Sequence, residues 1–520
     1  MKIKILSTSD VHGYLYPTNY STPDNVTDYG MLKAATIINR LKTTAADDEV
    51  VIAIENGDWL QGSPLTSYVA KKMPPADQRI MTEITARMAM DAGILGNHEF
   101  NYGLDYLRAG ESGRNYPILG ANILGGKDQH IVDAPYQIID QQGVKIAILG
   151  LTTAYVPVWE RADHLTGLTF ESALTTAKRW VPKLRELADV VVVAYHGGFE
   201  GDLAADELAE PLTIENEGLR ILNQVPGIDA LVTGHQHQQL ASVVHGVPVT
   251  QPGDRGRFVG CIDLELAEDK TVVTATASLL STATAAPAVN LISLTGHLQA
   301  RVQEWLDQPL GRVNGVEMTV ENPFLARLSG HPYLDFINRV QMAATGTDIA
   351  ATALFNDEVR GYQSTVTIRQ VLNSYVYPNT LVVEEISGTE LRAALERCAS
   401  YFERRDGQVT VGDAFIHPKV QHYNYDFYSG IDYTFDLRLP VGSRVDQLDY
   451  HGQPVEEDQL LQVAMNQYRG NGGGEYPMFG VDKVVREVNL DMSELITDYF
   501  TTHDPVIAKQ PTNFHVITGK

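Results

Sequence analysis

The chain reads VVVVAYHG from Val190 to Gly197, a continuous apolar run that ends at a histidine. A run of β-branched residues without alternating polar positions is typical of a strand that is buried on both faces, as in a parallel sheet covered by helices. Ligand-binding residues in such sheets follow the carboxyl ends of the strands. The stretch therefore predicts an α/β fold and a functional residue at His196.

Similar short apolar runs alternate with helical patterns through the first half of the chain. The other strand candidates are Ile3–Leu6, Val50–Ile54, Gly93–Leu95, Val144–Leu149 and Ala230–Val232. Helical spacing occurs at Met31–Leu41, Met81–Met90 and Leu174–Leu187. Later antiparallel strands are expected at Val243–Val249, Cys261–Leu266 and Val272–Leu279. This alternation predicts α/β layering.

A change of composition near residue 283 predicts a second domain. Residues 283–288 are small and include a proline, and Leu291–Leu306 has the apolar spacing of an amphipathic helix. Beyond Gly311 the strand and helix patterns are mixed and tyrosine is frequent. We therefore expect a first domain at residues 1–288, a connector helix at 289–309 and a smaller α/β domain at 310–520.

The composition is that of a globular protein with a strong acidic excess. The 520 residues include 40 Lys+Arg and 65 Asp+Glu, so the formal charge is −25. This charge argues against a nucleic-acid groove and against binding to anionic lipid. The first residues lack the apolar core of a signal peptide, and no apolar run reaches the ~18 residues of a membrane span. We expect a cytoplasmic protein, with a secreted form as the alternative if a leader has been removed. We favour a monomer and expect Cys261 and Cys398 to be unpaired and buried.

Short polar motifs follow five of the strand candidates. They are Asp10-Val11-His12, Gly57-Asp58, Gly96-Asn97-His98-Glu99, His196-Gly197 and Gly234-His235-Gln236-His237. Their mixture of carboxylate, amide and imidazole groups suits Mn, Zn, Fe or Co better than Ca or an all-oxygen Mg site. A carboxylate such as Asp58 bridges two ions that are roughly 3.5–4 Å apart, and such a pair activates water and holds a phosphoryl oxygen. The motifs therefore predict a two-metal centre.

The order of these motifs resembles that of the calcineurin-like metallophosphoesterases over residues 1–260. The runs Ser9–Gly13, Asn56–Ser63 and Gly96–Asn101 are similar to the nucleotidase branch of that superfamily. Later in the chain, Ser429–Ile431 and Asn471–Tyr476 are similar to the substrate-binding domain of 5'-nucleotidases. The resemblance implies a four-layer α/β/β/α first domain, two divalent metal ions (Mn, Zn, Fe, Co or Mg) and a nucleotide substrate.

The resemblance also implies roles for individual residues of the metal centre. The residues implied at one metal are Asp10, His12, Asp58 and His237. The residues implied at the other metal are Asp58, Asn97, His196 and His235. The catalytic positions correspond to Asn97 and His98, and His98 lies beside the phosphate, where it stabilises the transition state or protonates the leaving oxygen. The aspartate that orients this histidine in 5'-nucleotidases is replaced by Asn101, and Asp105, one helical turn on, is our candidate for the missing carboxylate.

A base-binding site in the second domain follows from the same resemblance. Tyr425 and Tyr476 align with the two aromatic residues that sandwich the base, and stacking of about 1–3 kcal/mol tolerates any base. The backbone of a glycine run approaches a ligand closely. The other candidate substrate contacts are Gly473, Asn356, Arg360 and Asn379.

The substrate preference is indicated by three further runs. Gly96–Leu104, Gln61–Leu65 and Tyr377–Leu381 are most similar to the 2',3'-cyclic-nucleotide 2'-phosphodiesterase/3'-nucleotidase subgroup. We therefore expect a di-metal nucleotide phosphoesterase of that specificity, with 5'-nucleotidase activity as the second interpretation. A pyrophosphatase of UDP-sugars or dinucleotides is a further alternative, and a non-enzymatic nucleotide-binding module is the last. A protein phosphatase is disfavoured because it needs no second domain rich in stacking aromatics.

Overall fold

A computed structural model of the chain describes residues 1–203, 207–208, 212–377, 379–405, 407–417, 419–488 and 490–519. The chain divides into two units, Met1–Val302 and Gln303–Lys520. The division into residues 1–288, 289–309 and 310–520 that the sequence indicates remains a prediction. Pro378, within the run Tyr377–Leu381, lies outside the described residues.

Two six-stranded sheets form the centre of the first unit. The strand order in one is Val272–Ser281, Phe258–Leu266, Lys2–Thr8, Glu49–Glu55, Ala92–Ile94, Ile118–Leu119. The order in the other is Gln239–Val244, Val247–Pro252, Ala230–Val232, Val190–His196, Val144–Thr152, Tyr136–Gln141. Four neighbouring strands in each sheet are parallel, and the remaining strands are antiparallel to their neighbours. All six strands predicted from apolar runs in the first half are present.

The strand Val190–His196 shows how the layers form. Alternate residues such as Val192 lie in the core between the two sheets, and those between them, such as Val193, lie in the core beneath the helices. Because both faces are buried, every position of the strand is apolar until its end. The helix Ala173–Arg185 covers this sheet, and the helix Met31–Thr43 packs on the other one. This helix–sheet–sheet–helix arrangement confirms the predicted four-layer sandwich.

Most of the other elements of the first unit are short. The further α-helices are Pro64–Lys72, Pro75–Gln78, Ile80–Arg87, Gly103–Gly110, Val156–Trp159 and Gly218–Gln224, and the 18-residue helix Val289–Leu306 continues past the last residue of the unit. The 3-10 helices are His98–Phe100 and Ala162–Leu165. Two small ladders pair Ile123–Leu124 with Thr169–Phe170 and Gly201–Asp202 with Glu207–Leu208. Ser63 caps its helix by accepting a hydrogen bond from the Thr66 backbone N–H, which is a common reason for a helix to begin where it does.

The prediction of one strand at Val243–Val249 is wrong, because the chain reverses within it. Gln239–Val244 and Val247–Pro252 form an antiparallel hairpin. The two residues between them, His245 and Gly246, have φ of 52° and 83°. Such a two-residue turn with positive φ matches the twist of the flanking strands. The apolar run therefore contains a hairpin turn that its hydrophobicity does not reveal.

The second unit mixes helices with small sheets, as the sequence predicts. Its five-stranded sheet has the order Asp426–Ser429, Ile349–Ala353, Leu460–Asn466, Leu381–Ser387, Val484–Val488. A four-stranded sheet has the order Gln453–Pro454, Val445–Tyr450, Asp432–Asp436, Phe514–Ile517, and a three-stranded one Thr365–Thr367, Pro309–Gly315, Val506–Ala508. Two further ladders pair Met318–Thr319 with Gly361–Tyr362 and Phe402–Arg405 with Gln408–Val411. Its α-helices are Pro323–Ser329, Pro332–Thr345, Ile368–Ser374, Gly388–Ala399, Gln467–Gly470 and Met492–Thr502, and its 3-10 helices are Asp413–Phe415, His422–Asn424 and Val481–Lys483.

Three smaller predictions are also answered by the structure. The amphipathic helix expected at Leu291–Leu306 is present as Val289–Leu306, with Leu298 and Val302 on its buried side. Cys261 and Cys398 are free and buried, as expected. Among the described residues, no helix combines the length and the apolar character that crossing a membrane requires.

Candidate metal centre

The five predicted motifs meet at one edge of the two sheets. Asp10, Asp58 and Asn97 follow parallel strands of one sheet, whereas His196 ends a strand of the other and His235 follows the next. Hydrogen bonds join these loops, because the backbone N–H of His235 donates to the Asp10 carboxylate and that of His98 donates to Asp58 Oδ1 at 2.8 Å. The carboxyl ends of strands from both sheets therefore converge, as the sequence predicts.

The backbone of these loops is unusual for residues with side chains. The φ angles of Asp10, His12, Asp58, His235 and His237 lie between 52° and 69°. This left-handed region costs of order 1–3 kcal/mol for a residue other than glycine, and it persists only where the surrounding structure holds it. Five of the seven predicted ligands adopt this conformation, which directs their side chains at the strand ends.

One half of the centre brings Asp10, His12 and His237 together. Their potential ligand atoms all lie within 4.8 Å of one another. The Nε2 atoms of His12 and His237 are 3.0 Å apart, and His237 Nε2 is 3.5 Å from Asp10 Oδ1. Two imidazole nitrogens at this distance share at most one hydrogen when both rings are neutral. A cation between these groups would satisfy all of them.

The other half contains Asp58, Asn97, His196 and His235. His196 Nε2 is 3.3 Å from Asp58 Oδ2, and His235 Nδ1 is 2.9 Å from Asn97 Oδ1. His196 is fully buried, and its Nε2 has no hydrogen-bond partner among the described residues. An unpaired polar atom in a protein interior is costly unless a ligand or an ion satisfies it. The seven predicted ligands thus fit a pair of divalent cations, with Asp58 between the two halves.

The electrostatics of the centre favour positive charge. Burial alone would raise the pKa of Asp58, but the neighbouring His196, His98 and His12 hold it well below its ordinary value. Burial lowers the pKa of His196, yet Asp58, Asp10 and the Asn56 carbonyl together outweigh burial and raise it to about 10. The Asp58 carboxylate therefore remains ionised, and the position beside His196 attracts a cation.

Hydrogen bonds to one ring nitrogen of each histidine determine which nitrogen remains available to bind a metal. The Nδ1 atoms of His12 and His196 lie 3.0 Å and 2.7 Å from the carbonyl oxygens of Gln61 and Asn56. A carbonyl only accepts, so each Nδ1 carries a hydrogen, and Nε2 is the nitrogen whose lone pair a metal can bind. Because the pKa of His196 is raised, its Nε2 must lose a proton when a cation binds. His235 is reversed: its Nε2 is 3.1 Å from Glu215 Oε1, and its Nδ1 faces Asn97. Such outer partners commonly orient metal-binding histidines.

Glu99 organises the loops from behind, a role that sequence reasoning missed. It is 2% exposed, and its carboxylate accepts hydrogen bonds from the backbone N–H groups of Asp58, Trp59, Leu60 and Gly96, at 2.6–3.0 Å. These bonds hold the left-handed backbone at Asp58. The position of Glu99 within a motif indicates a functional site. Its spacing in the sequence does not show whether it binds a metal or holds the loops by hydrogen bonds. Glu215 carried no signal at all.

The partner of His98 differs from our expectation. His98 Nδ1 lies 2.7 Å from Asn101 Oδ1, so Asn101 itself is the orienting group. Asp105 is exposed and forms an ion pair with Arg108 at 2.8 Å, so its prediction as the orienting carboxylate is wrong. The His98 ring lies beside that of His12, with ring centroids 5.0 Å apart. The helical turn points Asp105 to solvent, whereas the 3-10 turn His98–Phe100 returns Asn101 to the ring.

The predicted base clamp is not formed in the second unit. Tyr425 and Tyr476 are 1% and 0% exposed and belong to the unit's hydrophobic core. Their hydroxyls donate to the carbonyl oxygens of Arg327 and Asn424, both at 2.9 Å, and the guanidinium of Arg469 lies 3.9 Å from the Tyr476 ring centroid. Rings without an exposed face cannot stack on a base. This correction has a simple reason: a tyrosine that fits a stacking motif also fits a core.

The remaining substrate candidates have mainly local contacts. Asn356 Oδ1 accepts from the backbone N–H groups of Glu358 and Val359, which closes a turn. A Cβ at Gly473 would lie 2.6 Å from the Tyr468 carbonyl oxygen, so protein packing already requires this glycine. The half-buried Asn379 accepts from the Met492 N–H through its own carbonyl, and Arg360 is exposed. The substrate roles of these residues remain predictions.

Comparison with known proteins identifies both units. Residues 3–239 match the family described as Calcineurin-like phosphoesterase, and residues 313–481 match that described as 5'-nucleotidase, C-terminal domain. A solved structure from Staphylococcus aureus named "Putative 5'-Nucleotidase", in complex with alpha-ketoglutarate, is 35% identical with a TM-score of 0.90, covering 99% of this chain and 100% of that one.

Two curated relatives are similar over most of the chain. The 2',3'-cyclic-nucleotide 2'-phosphodiesterase/3'-nucleotidase of Salmonella typhimurium is 28% identical over 91% of this chain and 81% of its own length. The trifunctional nucleotide phosphoesterase protein YfkN of Bacillus subtilis is 25% identical over 99% of this chain, which spans only 39% of that relative. The chain belongs to the calcineurin-like phosphoesterases with a 5'-nucleotidase C-terminal domain, a family of phosphoester hydrolases that use two divalent metal ions.

Proposed function

We propose that the chain hydrolyses nucleotide phosphoesters, opening 2',3'-cyclic nucleotides at the 2' bond and releasing phosphate from 3'-nucleotides. The observation that carries the proposal is the convergence of two buried carboxylates, an amide and four imidazoles, with the buried His196 Nε2 left unpaired. Two divalent cations there would supply Lewis-acid activation of water and of the phosphoryl group.

The residues divide into two ligand sets that share Asp58. The first set is Asp10, His12, Asp58 and His237, and the second is Asp58, Asn97, His196 and His235. The 3.9 Å between His12 Nε2 and Asp58 Oδ2 and the 3.3 Å between His196 Nε2 and the same oxygen support Asp58 as the shared member.

His98 is the catalytic residue proposed for the leaving oxygen. Hydrolysis forms a bond from water oxygen to phosphorus and breaks the bond from phosphorus to a ribose oxygen, which must then gain a proton. His98 Nδ1 is engaged by Asn101 Oδ1, so Nε2 is the nitrogen left for the substrate. Its ring stands beside His12, at the edge of the ligand cluster.

The specificity for 2',3'-cyclic and 3'-nucleotides rests on the motif runs and on the relative from Salmonella typhimurium that carries this activity in its name. 5'-Nucleotidase activity is the second candidate, favoured by the 35% identity to the Staphylococcus aureus structure. The two differ in which ester oxygen of the ribose is presented to the same metal centre.

A substrate panel tests the proposal. Protein stripped with EDTA and reloaded with manganese is given 2',3'-cyclic AMP, 3'-AMP, AMP and UDP-glucose, and nucleoside, nucleotide and phosphate products are quantified. We expect turnover of the first two substrates, a 3'-nucleotide as the product of ring opening, and none without metal. Preferred release of phosphate from AMP would support the second candidate, and turnover of UDP-glucose alone would overturn both.

A further inference from the structure

We infer that Glu160 is a positioning residue for His98 and that it acts through the side-chain amide of Asn101. The inference rests on the proposed function, because it assigns His98 to the leaving oxygen. Glu160 lies well outside the five motifs, directly after the short helix Val156–Trp159. Neither its position in the sequence nor the motif order connects it with the metal centre.

Hydrogen-bond contacts connect His98 to Glu160 through Asn101 and lead away from the metal centre. His98 Nδ1 is 2.7 Å from Asn101 Oδ1, and Asn101 Nδ2 donates to Glu160 Oε2, also at 2.7 Å. The other oxygen, Glu160 Oε1, accepts from the backbone N–H of Arg161 at 2.9 Å and lies 2.8 Å from His164 Nδ1. Glu160 is 8% exposed, and protein groups contact both oxygens of its carboxylate.

The chemistry of the groups fixes the direction of every hydrogen bond. An ionised carboxylate only accepts, so the NH₂ group of Asn101 must face Glu160. The amide oxygen of Asn101 then faces His98, and His98 Nδ1 must carry its hydrogen. If the amide were flipped, its oxygen would face the carboxylate of Glu160 without a hydrogen between them. Glu160 therefore sets the orientation of the His98 ring and its tautomer, although the two residues do not touch.

The arrangement also separates charge from the reaction. A carboxylate in direct contact with His98 would bring a negative charge towards an anionic phosphate. The neutral amide of Asn101 transmits orientation and keeps the charge of Glu160 one side chain farther away. Removal of a partner that orients a functional histidine typically costs ~10–100-fold in activity. This is less than the ~10²–10⁴-fold expected when a general acid itself is lost.

Exchange of the two polar side chains gives a sharp test. In Glu160→Gln, the introduced amide must turn its oxygen to Asn101, and its NH₂ group then opposes the Arg161 N–H. In Asn101→Asp, two carboxylates face each other. In the double variant Asn101→Asp/Glu160→Gln, the introduced glutamine donates to the introduced aspartate and accepts from Arg161, while the aspartate accepts from His98. Each hydrogen bond between His98 and Arg161 is then formed again, with donor and acceptor exchanged between positions 101 and 160.

Leaving-group dependence separates positioning of His98 from general stability. Departure of p-nitrophenolate needs no proton, whereas departure of a ribose oxygen does. We expect Glu160→Gln to lower kcat on 3'-AMP by ~10–100-fold with little change in KM, to affect p-nitrophenyl phosphate much less, and to retain its metal content. Asn101→Asp should also lose activity on 3'-AMP. The double variant should recover much of it, because its hydrogen bonds are restored, but not all, because a carboxylate then contacts His98. Glu111→Gln, which alters another buried carboxyl of the same unit, is the matched control and should behave as the wild type.

The outcomes distinguish this inference from the proposed function beneath it. If His98→Ala loses 3'-AMP and p-nitrophenyl phosphate turnover equally, the role proposed for His98 is wrong. If His98→Ala discriminates between the substrates but Glu160→Gln does not, the inference about Glu160 is wrong. A double variant no more active than Asn101→Asp would also overturn it, and this comparison stands even if Glu160→Gln folds poorly.

Discussion

The loops around Asp58 and the aromatic segments around Tyr425 and Tyr476 differ in how well the structure agrees with their predicted roles. Both were identified from short motifs, but only the first converges on a plausible site. Its members have left-handed backbone, buried carboxylates and an unpaired imidazole nitrogen at His196. The two tyrosines have no exposed face, and their hydroxyls are satisfied by backbone carbonyls.

The difference teaches which residue types carry an unambiguous signal. A buried aspartate or an unpaired buried imidazole has no use in an apolar core, so its presence after a strand indicates a ligand. A tyrosine is equally useful in a core and against a base, because its ring is apolar and its hydroxyl finds a partner in either place.

Substitution of the residue shared by both ligand sets should have the largest effect. Asp58→Asn removes the negative charge that lies 3.3 Å from His196 Nε2, and a neutral amide would bridge two cations more weakly than the carboxylate proposed to do so. We expect loss of one or both ions, measured by mass spectrometry of bound metal, and a fall in activity of ~10³-fold or more. Asp105→Asn, at an exposed residue of the same region, is the control and should leave both unchanged. Full metal content in Asp58→Asn would contradict the assignment.

Removal of the His98 ring should be the next largest change. We expect His98→Ala to lower kcat on 3'-AMP by ~10²–10⁴-fold, because a proton donor is lost, while both metal ions remain bound. The metal measurement is decisive here, since His98 also lies within ligand distance of His12 and Asp58. A variant that loses metal would make His98 a ligand, and its catalytic assignment would be wrong.

Removal of the carboxylate behind His235 should have an intermediate effect. Glu215 Oε1 is 3.1 Å from His235 Nε2, where it orients the ring. We expect Glu215→Gln to weaken metal affinity by ~10–100-fold, measured by competition with a chelator. Glu171→Gln removes the same charge from a surface pair with Arg179 and serves as the reference. Equal affinity in the two variants would mean that Glu215 does not support the ligand.

Truncation of the buried tyrosines should have the smallest effect on substrate selection. Tyr425→Ala and Tyr476→Ala each remove a core ring, so we expect the free energy of unfolding to fall by ~3–5 kcal/mol, measured by urea denaturation. The kcat/KM values for 3'-AMP and for p-nitrophenyl phosphate should then change together. A selective rise in KM for 3'-AMP would show that the rings reach the base, and it would restore the clamp interpretation.

The sequence predicts those parts of the molecule in which neighbouring residues alone determine the structure. A buried strand must be apolar at every position, so Val190–His196 was recognised, and a ligand at its end follows from topology. The hairpin turn at His245–Gly246 was missed because its positive φ leaves no trace in hydrophobicity. Glu160 and Glu215 were missed because they act from distant positions in the chain, and only the three-dimensional structure brings their carboxylates to His164, Asn101 and His235.

Five strand-end loops are proposed to hold two cations that share Asp58. Crystals soaked in manganese and measured by anomalous diffraction test this proposal most directly. We expect two anomalous peaks in the first unit, roughly 3.5–4 Å apart and both beside the Asp58 carboxylate. A single peak, or two peaks that do not share Asp58, would contradict it.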